Sequence, residues 1–225
     1  MWIILPIKNL GQAKQRLSGA LTDEERRTLF ETMLGDVLSS VSRCSTVDGV
    51  LIVSREATAP ALAGRFGAEL LVEPDNIGQS AAVQRGVDWV KARVGDGVVT
   101  VPGDCPALTA KEIDGLVNLH DKSGPAVTLV PSHDGRGTNC ILATPPDLIR
   151  FHFGHHSFQP HLGEAEKAGV TPVIRQLPGL GLDIDTPEDV QKFLEMETPT
   201  ATHRYLVESG IAARLAERGP ESHSA

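Results

Sequence analysis

The feature that most limits this chain is a rhythm: short apolar runs alternate with amphipathic stretches of helix length. That alternation predicts an α/β fold with a mainly parallel sheet covered by helices. Trp2–Leu5, 49–53, 70–72 and 98–101 read as strands, the last because its apolar run is continuous between Gly97 and Pro102. The helices read as a long one from Thr22, then 57–66, 80–94 and 109–119. Thr22 with Glu25 and Thr109 with Glu112 fit capping boxes. After residue 120 the rhythm changes. Two runs, 126–130 and 140–143, flank a polar loop and predict a hairpin or an inserted antiparallel piece. A helix over 157–168, a strand over 171–176 and a helix over 187–196 follow, the last opened by Pro187 at its first position. Residues 1–197 read as one domain. Residues 198–225 read as an appended helical tail, with Tyr205, Leu206, Ile211, Ala212 and Leu215 on one stripe and a frayed end.

Composition narrows the function classes. A net charge of −8 with no basic stripe argues against nucleic-acid binding. Three cysteines without paired spacing suggest neither a disulfide framework nor a zinc site, and a reducing cytoplasm fits them. The N-terminal apolar run is too short for a signal peptide or a membrane span.

Several segments have the residues for chemistry. Pro6, Lys8, Lys14 and Arg16 follow the first strand, where α/β proteins place ligands, and the three cations suit nucleotide phosphates. The Gly-rich P-loop pattern is absent, and a solvated loop explains the same residues. Asp104 follows a buried strand directly and suits a hard divalent ion, although a turn-forming Asp would look alike. Asp183 and Asp185 share one face of an extended chain. Asp185 also reads as the N-cap of the helix at Pro187. Asp104 with either partner gives the paired carboxylates of metal-assisted phosphoryl transfer. Gly78 would let the backbone approach a base, with Gln79 or Ser80 reading its edge; Ser80 as an N-cap is the plainer reading. Arg136 and Thr138 lie in a hairpin tip rich in anion donors, and Gly154, His155 and Ser157 precede a helix whose N-terminus suits an anion. His155, His156 and His161 read as surface residues, since no carboxylate or Cys completes a zinc set with them.

In this order, Pro6-Ile7-Lys8 with Ala13-Lys14-Gln15-Arg16-Leu17, Asp104-Cys105-Pro106, Asp134-Gly135-Arg136-Gly137-Thr138-Asn139, Phe153-Gly154-His155-His156-Ser157-Phe158 and Asp183-Ile184-Asp185-Thr186-Pro187-Glu188-Asp189 resemble the phospholactate guanylyltransferase family (CofC/FbiD). That family lies within the nucleotide-diphospho-sugar transferase superfamily. The resemblance implies a Rossmann-like sheet with a small antiparallel insert and GMP transfer from GTP to a phosphorylated three-carbon acid in coenzyme F-420 biosynthesis. The acid would be 2-phospho-L-lactate, phosphoenolpyruvate or 3-phospho-D-glycerate. It also implies Mg²⁺ at Asp104 and the Asp183/Asp185 pair and contacts from Thr138, Gly154 and Ser157 to the acid; in-line attack aided by these charges makes Asp104, Lys14 and Arg16 the expected catalytic residues. A transient contact with the downstream deazaflavin transferase follows from the same resemblance. The sequence departs from the family at Cys105, usually Leu, and at Gly78-Gln79-Ser80, usually Gly-Leu-Asn. Cys105 and His155 favour a more polar acid such as 3-phospho-D-glycerate. Other acceptors, a sugar phosphate or a molybdopterin, and a non-catalytic nucleotide-binding protein are the competing readings. The oligomeric state is open.

Overall fold

Strand β1, Trp2–Ile7, sits in the middle of the sheet and alternates its burden: Ile3, Leu5 and Ile7 enter one core, Ile4 the other. The computed structural model describes residues 1–8, 14–93, 95–154 and 156–218. In chain order it has β1, a 3₁₀ turn Gln15–Leu17, α1 Asp23–Val41, β2 Gly49–Ser54, α2 Ala59–Phe66, β3 Glu69–Val72, α3 Gln79–Lys91, β4 Val98–Thr100 and α4 Ala110–Leu119. Then come β5 Ala126–Pro131, β6 Thr138–Thr144, α5 Phe158–Lys167, β7 Val173–Ile174, α6 Pro187–Glu195, α7 Ala201–Glu208 and α8 Ile211–Arg218.

The seven strands run β3-β2-β1-β4-β6-β5-β7. β1 pairs in parallel with β2 on one side and β4 on the other, so the order reverses at the β1/β4 boundary. β6 pairs antiparallel with both β4 and β5 and alone opposes the rest. The expected antiparallel insert is therefore one reversed strand built into the sheet.

Both expected capping boxes are present. Thr22 and Glu25 exchange bonds of 2.8 and 3.2 Å, and Thr109 and Glu112 bonds of 3.0 and 3.2 Å. Several boundaries shift. α2 begins at Ala59, and α3 begins at Gln79 with Gly78 as its N-cap, so Ser80 is not the cap. β7 keeps only two of its six expected residues, at an edge where Pro172 has no N–H to extend the ladder. The tail segment is two helices broken at Gly210, whose φ of 74° suits a residue without Cβ. The Asp36 carboxylate on α1 anchors α7 by accepting from the Ala201 and Thr202 N–H groups at 3.0 and 2.7 Å. Leu206, Ile211 and Leu215 then enter the main core beside α1 and α6. The end expected to fray, 219–225, lies outside the described residues. Among the described residues no helix is long and apolar enough to cross a membrane.

Candidate active site

The carboxyl ends of β1 and β4 open onto a cleft, as the reversal of strand order requires. Asp104 follows β4 through Pro102 and Gly103. The extended stretch before α6 runs alongside, tied by a bond from the Ile184 N–H to the Asp104 carbonyl at 3.1 Å. Ile184 is fully buried, and the alternation of an extended chain turns Asp183 and Asp185 to the opposite side. The Lys14 Nζ donates to Asp104 Oδ2 and Asp185 Oδ1, each at 2.7 Å. Oxygens from residues 81 positions apart thus touch one nitrogen. Arg16 Nη1 stands 3.9 Å from Asp185 Oδ2. Asp183 Oδ1 accepts from Asn139 Nδ2 at 3.1 Å, and that amide also reaches the Leu180 and Gly181 carbonyls.

Charge dominates this cluster. Burial alone would lower the Lys14 pKa, but Asp104 and then Asp185 outweigh it and hold the ammonium above its usual range. Burial, then the Asp104 charge, pushes Asp183 up to about 6. Among the described residues Asp104 Oδ1 is buried with no hydrogen-bond partner. Three carboxylates, one with an orphaned oxygen and one with a raised pKa, and an ammonium already between two of them are short of positive charge. Their hard oxygens fit a divalent cation. Among the described residues no three His, Cys, Asp or Glu side chains form a ready-made metal cage. An octahedral ion that takes one or two carboxylates and completes its shell with water and phosphate needs none.

A cavity of about 500 Å³ runs from these carboxylates to the reversed strand. Arg16, Gln79, Arg136, Thr138, Gly154 and Ser157 border it. His155 lies outside the described residues. Gly154, at φ 141°, and His156, at φ 60°, bend the loop around the cavity. Ser80 Oγ accepts from the Phe153 N–H at 2.9 Å and ties the α3 end to that loop.

Other expected residues fall elsewhere. Pro6 is within β1 and does not border the cavity. Lys8 gives its three ammonium hydrogens to Glu73, Asn76 and the Gly78 carbonyl at 3.2, 3.2 and 2.7 Å. It braces the loop before α3 against the buried Glu73, which Arg85 also holds at 2.9 Å. Asp185 is not the cap of α6. Thr186 is, in a box with Asp189, and the Asp185 carboxylate faces Lys14. Cys105 faces the core rather than the cavity, with Sγ donating to the Leu180 carbonyl at 3.4 Å. It cannot make the acid pocket more polar. His161 is not a surface residue but fully buried. Sequence reasoning also missed Asn139, quoted in its motif without a role, and Lys192 at the cavity edge.

His161 carries a pH consequence. Burial, then the nearby His152, lowers its pKa to about 4, against the opposing Glu164. The unfolded value is about 6.5, so between the two the folded chain binds fewer protons. The stability this represents is complete above about 6.5 and is lost as pH falls toward 4, by about 3 kcal/mol. Urea unfolding at pH 7 and pH 4.5 should show a steeper loss in the wild type than in His161→Asn. Equal slopes would remove His161 as the cause.

Comparison with known proteins shows the family and the fold. The family model described as "Guanylyl transferase CofC like" matches residues 1–223. A phosphoenolpyruvate guanylyltransferase of Conexibacter woesei is 36% identical over 193 residues, 86% of each chain. A 3-phospho-D-glycerate guanylyltransferase of Colwellia psychrerythraea is 29% identical, over 88% of this chain and 92% of its own. Among solved structures, a chain from Desulfovibrio desulfuricans G20 assigned to the nucleotide-diphospho-sugar transferases superposes with a TM-score of 0.76. It does so at 16% identity over 96% of both chains, a likeness of fold.

Proposed function

We propose, from the premise that this chain belongs to the CofC-like guanylyl transferase family, that it joins GMP from GTP to the phosphate of a three-carbon acid. The observation that carries the reading is the Asp104–Lys14–Asp185 bridge beside Asp183, at the rim of a cavity also lined by hydroxyl and guanidinium donors. A cluster of carboxylates facing two polyanions makes chemical sense only with a cation between them. Asp104, Asp183 and Asp185 are the residues that would hold Mg²⁺, which when bound neutralises phosphate charge and eases the repulsion between the two substrates.

The chain's own groups then have distinct tasks. Lys14 and Arg16 align the triphosphate, Gln79 faces the base, and Arg136, Thr138 and Ser157 hold the acid. An oxygen of the acid's phosphate bonds to the α-phosphorus as the bond to the β-phosphate oxygen breaks in line, and pyrophosphate leaves. A phosphomonoester with a second pKa of about 6 is already an anion at neutral pH, so no side chain must take a proton. Catalysis is alignment and charge compensation. The work belongs to coenzyme F-420 biosynthesis in the cytoplasm, with the product passed to a deazaflavin transferase.

Pyrophosphate release tests this, with GTP, CTP or UTP against phosphoenolpyruvate, 3-phospho-D-glycerate and 2-phospho-L-lactate. The relative at 36% identity is named for phosphoenolpyruvate, which makes that acid the first to assay. We expect release with GTP and one of the three. Release with none, or only with a sugar phosphate, would overturn the reading.

Metal binding has its own pH signature. In the metal-free chain Asp183 keeps its proton to about pH 6, and a cation must displace it. Between pH 7.5 and 5.5 the ionised fraction falls about fourfold, and Mg²⁺ affinity should fall with it. Calorimetric titration in buffers of different ionisation heat would register the released proton. An affinity that does not change across that range would exclude Asp183 as a ligand.

A further inference from the structure

Behind the cavity wall, a fully buried side chain fixes the direction of one hydroxyl group. His161 lies in the first turns of α5 with both ring nitrogens engaged. The His152 backbone N–H points at its Nε2 at 2.9 Å. A backbone N–H can only donate, so Nε2 is the acceptor and the neutral ring carries its hydrogen on Nδ1. Nδ1 is 2.9 Å from Thr138 Oγ1 and therefore donates to it. The Thr138 N–H in turn donates to Ser157 Oγ at 2.9 Å. Each hydroxyl has thus received a hydrogen bond from behind, and each retains one hydrogen of its own. Among the described residues neither hydrogen has an acceptor, and both side chains border the cavity.

We infer that His161 is a positioning residue that makes Thr138 an obligate donor to the acid substrate's anionic oxygens, by occupying its hydroxyl oxygen from behind through Nδ1–H. The opposite tautomer would present a lone pair to Thr138, draw its hydrogen inward and leave an oxygen lone pair facing an anion. The backbone bond from His152 excludes that tautomer. Burial keeps the ring neutral down to about pH 4, so the arrangement holds throughout the neutral range. The Phe153 ring, edge-on at 5.2 Å, and Glu164 and His152 are the neighbours that shape this environment. The target is a phosphate or carboxylate oxygen, which accepts only. A neutral hydroxyl of the substrate would gain less from it.

The inference rests on the guanylyl transfer reading for its substrate but not for its chemistry. Nitrogen NMR of the ring in the wild-type protein at pH 7 should show Nδ1 protonated and Nε2 bare. The reverse tautomer would overturn the proposal, whether or not any acid is turned over. Steady-state kinetics give the second test. Thr138→Val and His161→Phe should each raise the KM of the acid by about ten- to a hundredfold, the cost of one bond to a charged group, and leave the KM of GTP within about twofold. The double variant should be no worse than Thr138→Val, because His161 acts through that hydroxyl. His161→Asn, whose amide can donate from the Nδ1 position, should recover most of the loss. Additive effects, or equal losses for GTP and acid, would assign His161 to packing alone and leave the guanylyl transfer reading standing. A wild type inactive with every acid would remove that reading and leave the tautomer result intact.

Discussion

Asp104→Asn should lower the rate of guanylyl transfer by about a thousandfold and leave the fold in place. The substitution keeps size and shape and removes one negative charge. Of the three clustered carboxylates, Asp104 touches Lys14, keeps a buried oxygen without a partner among the described residues and repels Asp183. That orphaned oxygen is the strongest sign that the side chain awaits a ligand, because a buried carboxylate oxygen left unpaired is costly unless something arrives to use it. The neutral amide relieves the repulsion of Asp183, which offsets part of the lost ion pair, so the melting temperature should move by only a few degrees. Pyrophosphate release and a thermal melt measure both. A variant within tenfold of wild-type turnover would exclude Asp104 from the reaction centre.

Lys14→Met should separate two roles of one side chain. The lysine is almost completely buried, and its backbone sits at φ 59°, ψ 42°, a left-handed conformation that a residue with a Cβ rarely holds. Its ammonium offsets the charges of Asp104 and Asp185. Removing one member of a buried pair costs about 3–5 kcal/mol. Asp185 is 40% exposed and partly screened by water, so we expect a loss of about 2 kcal/mol in chelator. Added Mg²⁺ should then stabilise Lys14→Met more than it stabilises the wild type, since the cation meets no competing ammonium. Turnover should stay down about a hundredfold, because the phosphates lose a donor that the metal does not replace. Melts in chelator and in Mg²⁺, with parallel rate measurements, distinguish the two roles. A variant as stable as the wild type in chelator would show that Lys14 compensates nothing.

The parts of this site that could be read from sequence are those fixed by backbone periodicity. Asp104 was placed by the unbroken apolar run before it, and Asp183 and Asp185 by their spacing of two with a buried Ile184 between them. The parts that could not be read depend on where long or turning side chains end. Lys8 and Lys14 are both flexible cations after β1, yet one braces Glu73 and the other bridges the carboxylates. Nothing in their spacing separates these outcomes. Cys105 follows Asp104 in a turn, where the direction of successive side chains has no fixed period, and it faces the core. His161 reads as a surface residue, yet Phe153 and β6, which are distant in the helical pattern, bury it. The break between α7 and α8 was legible. Gly210 is a C-terminal signal, and a single stripe was drawn across it.

The reversed strand has an outcome for how such a protein can change its diet. A parallel strand meets this rim with its last residues, so whatever follows it must bend away into a helix. β6 meets the same rim with its first residues, Thr138 and Asn139, fed by the short connection from β5. The groups proposed to hold the acid therefore hang from a different kind of joint than Asp104 does. That connection can lengthen, shorten or trade residues while Asp104, Asp183 and Asp185 keep their places, so on the proposed reading new acceptors can be taken up without rebuilding the carboxylate cluster.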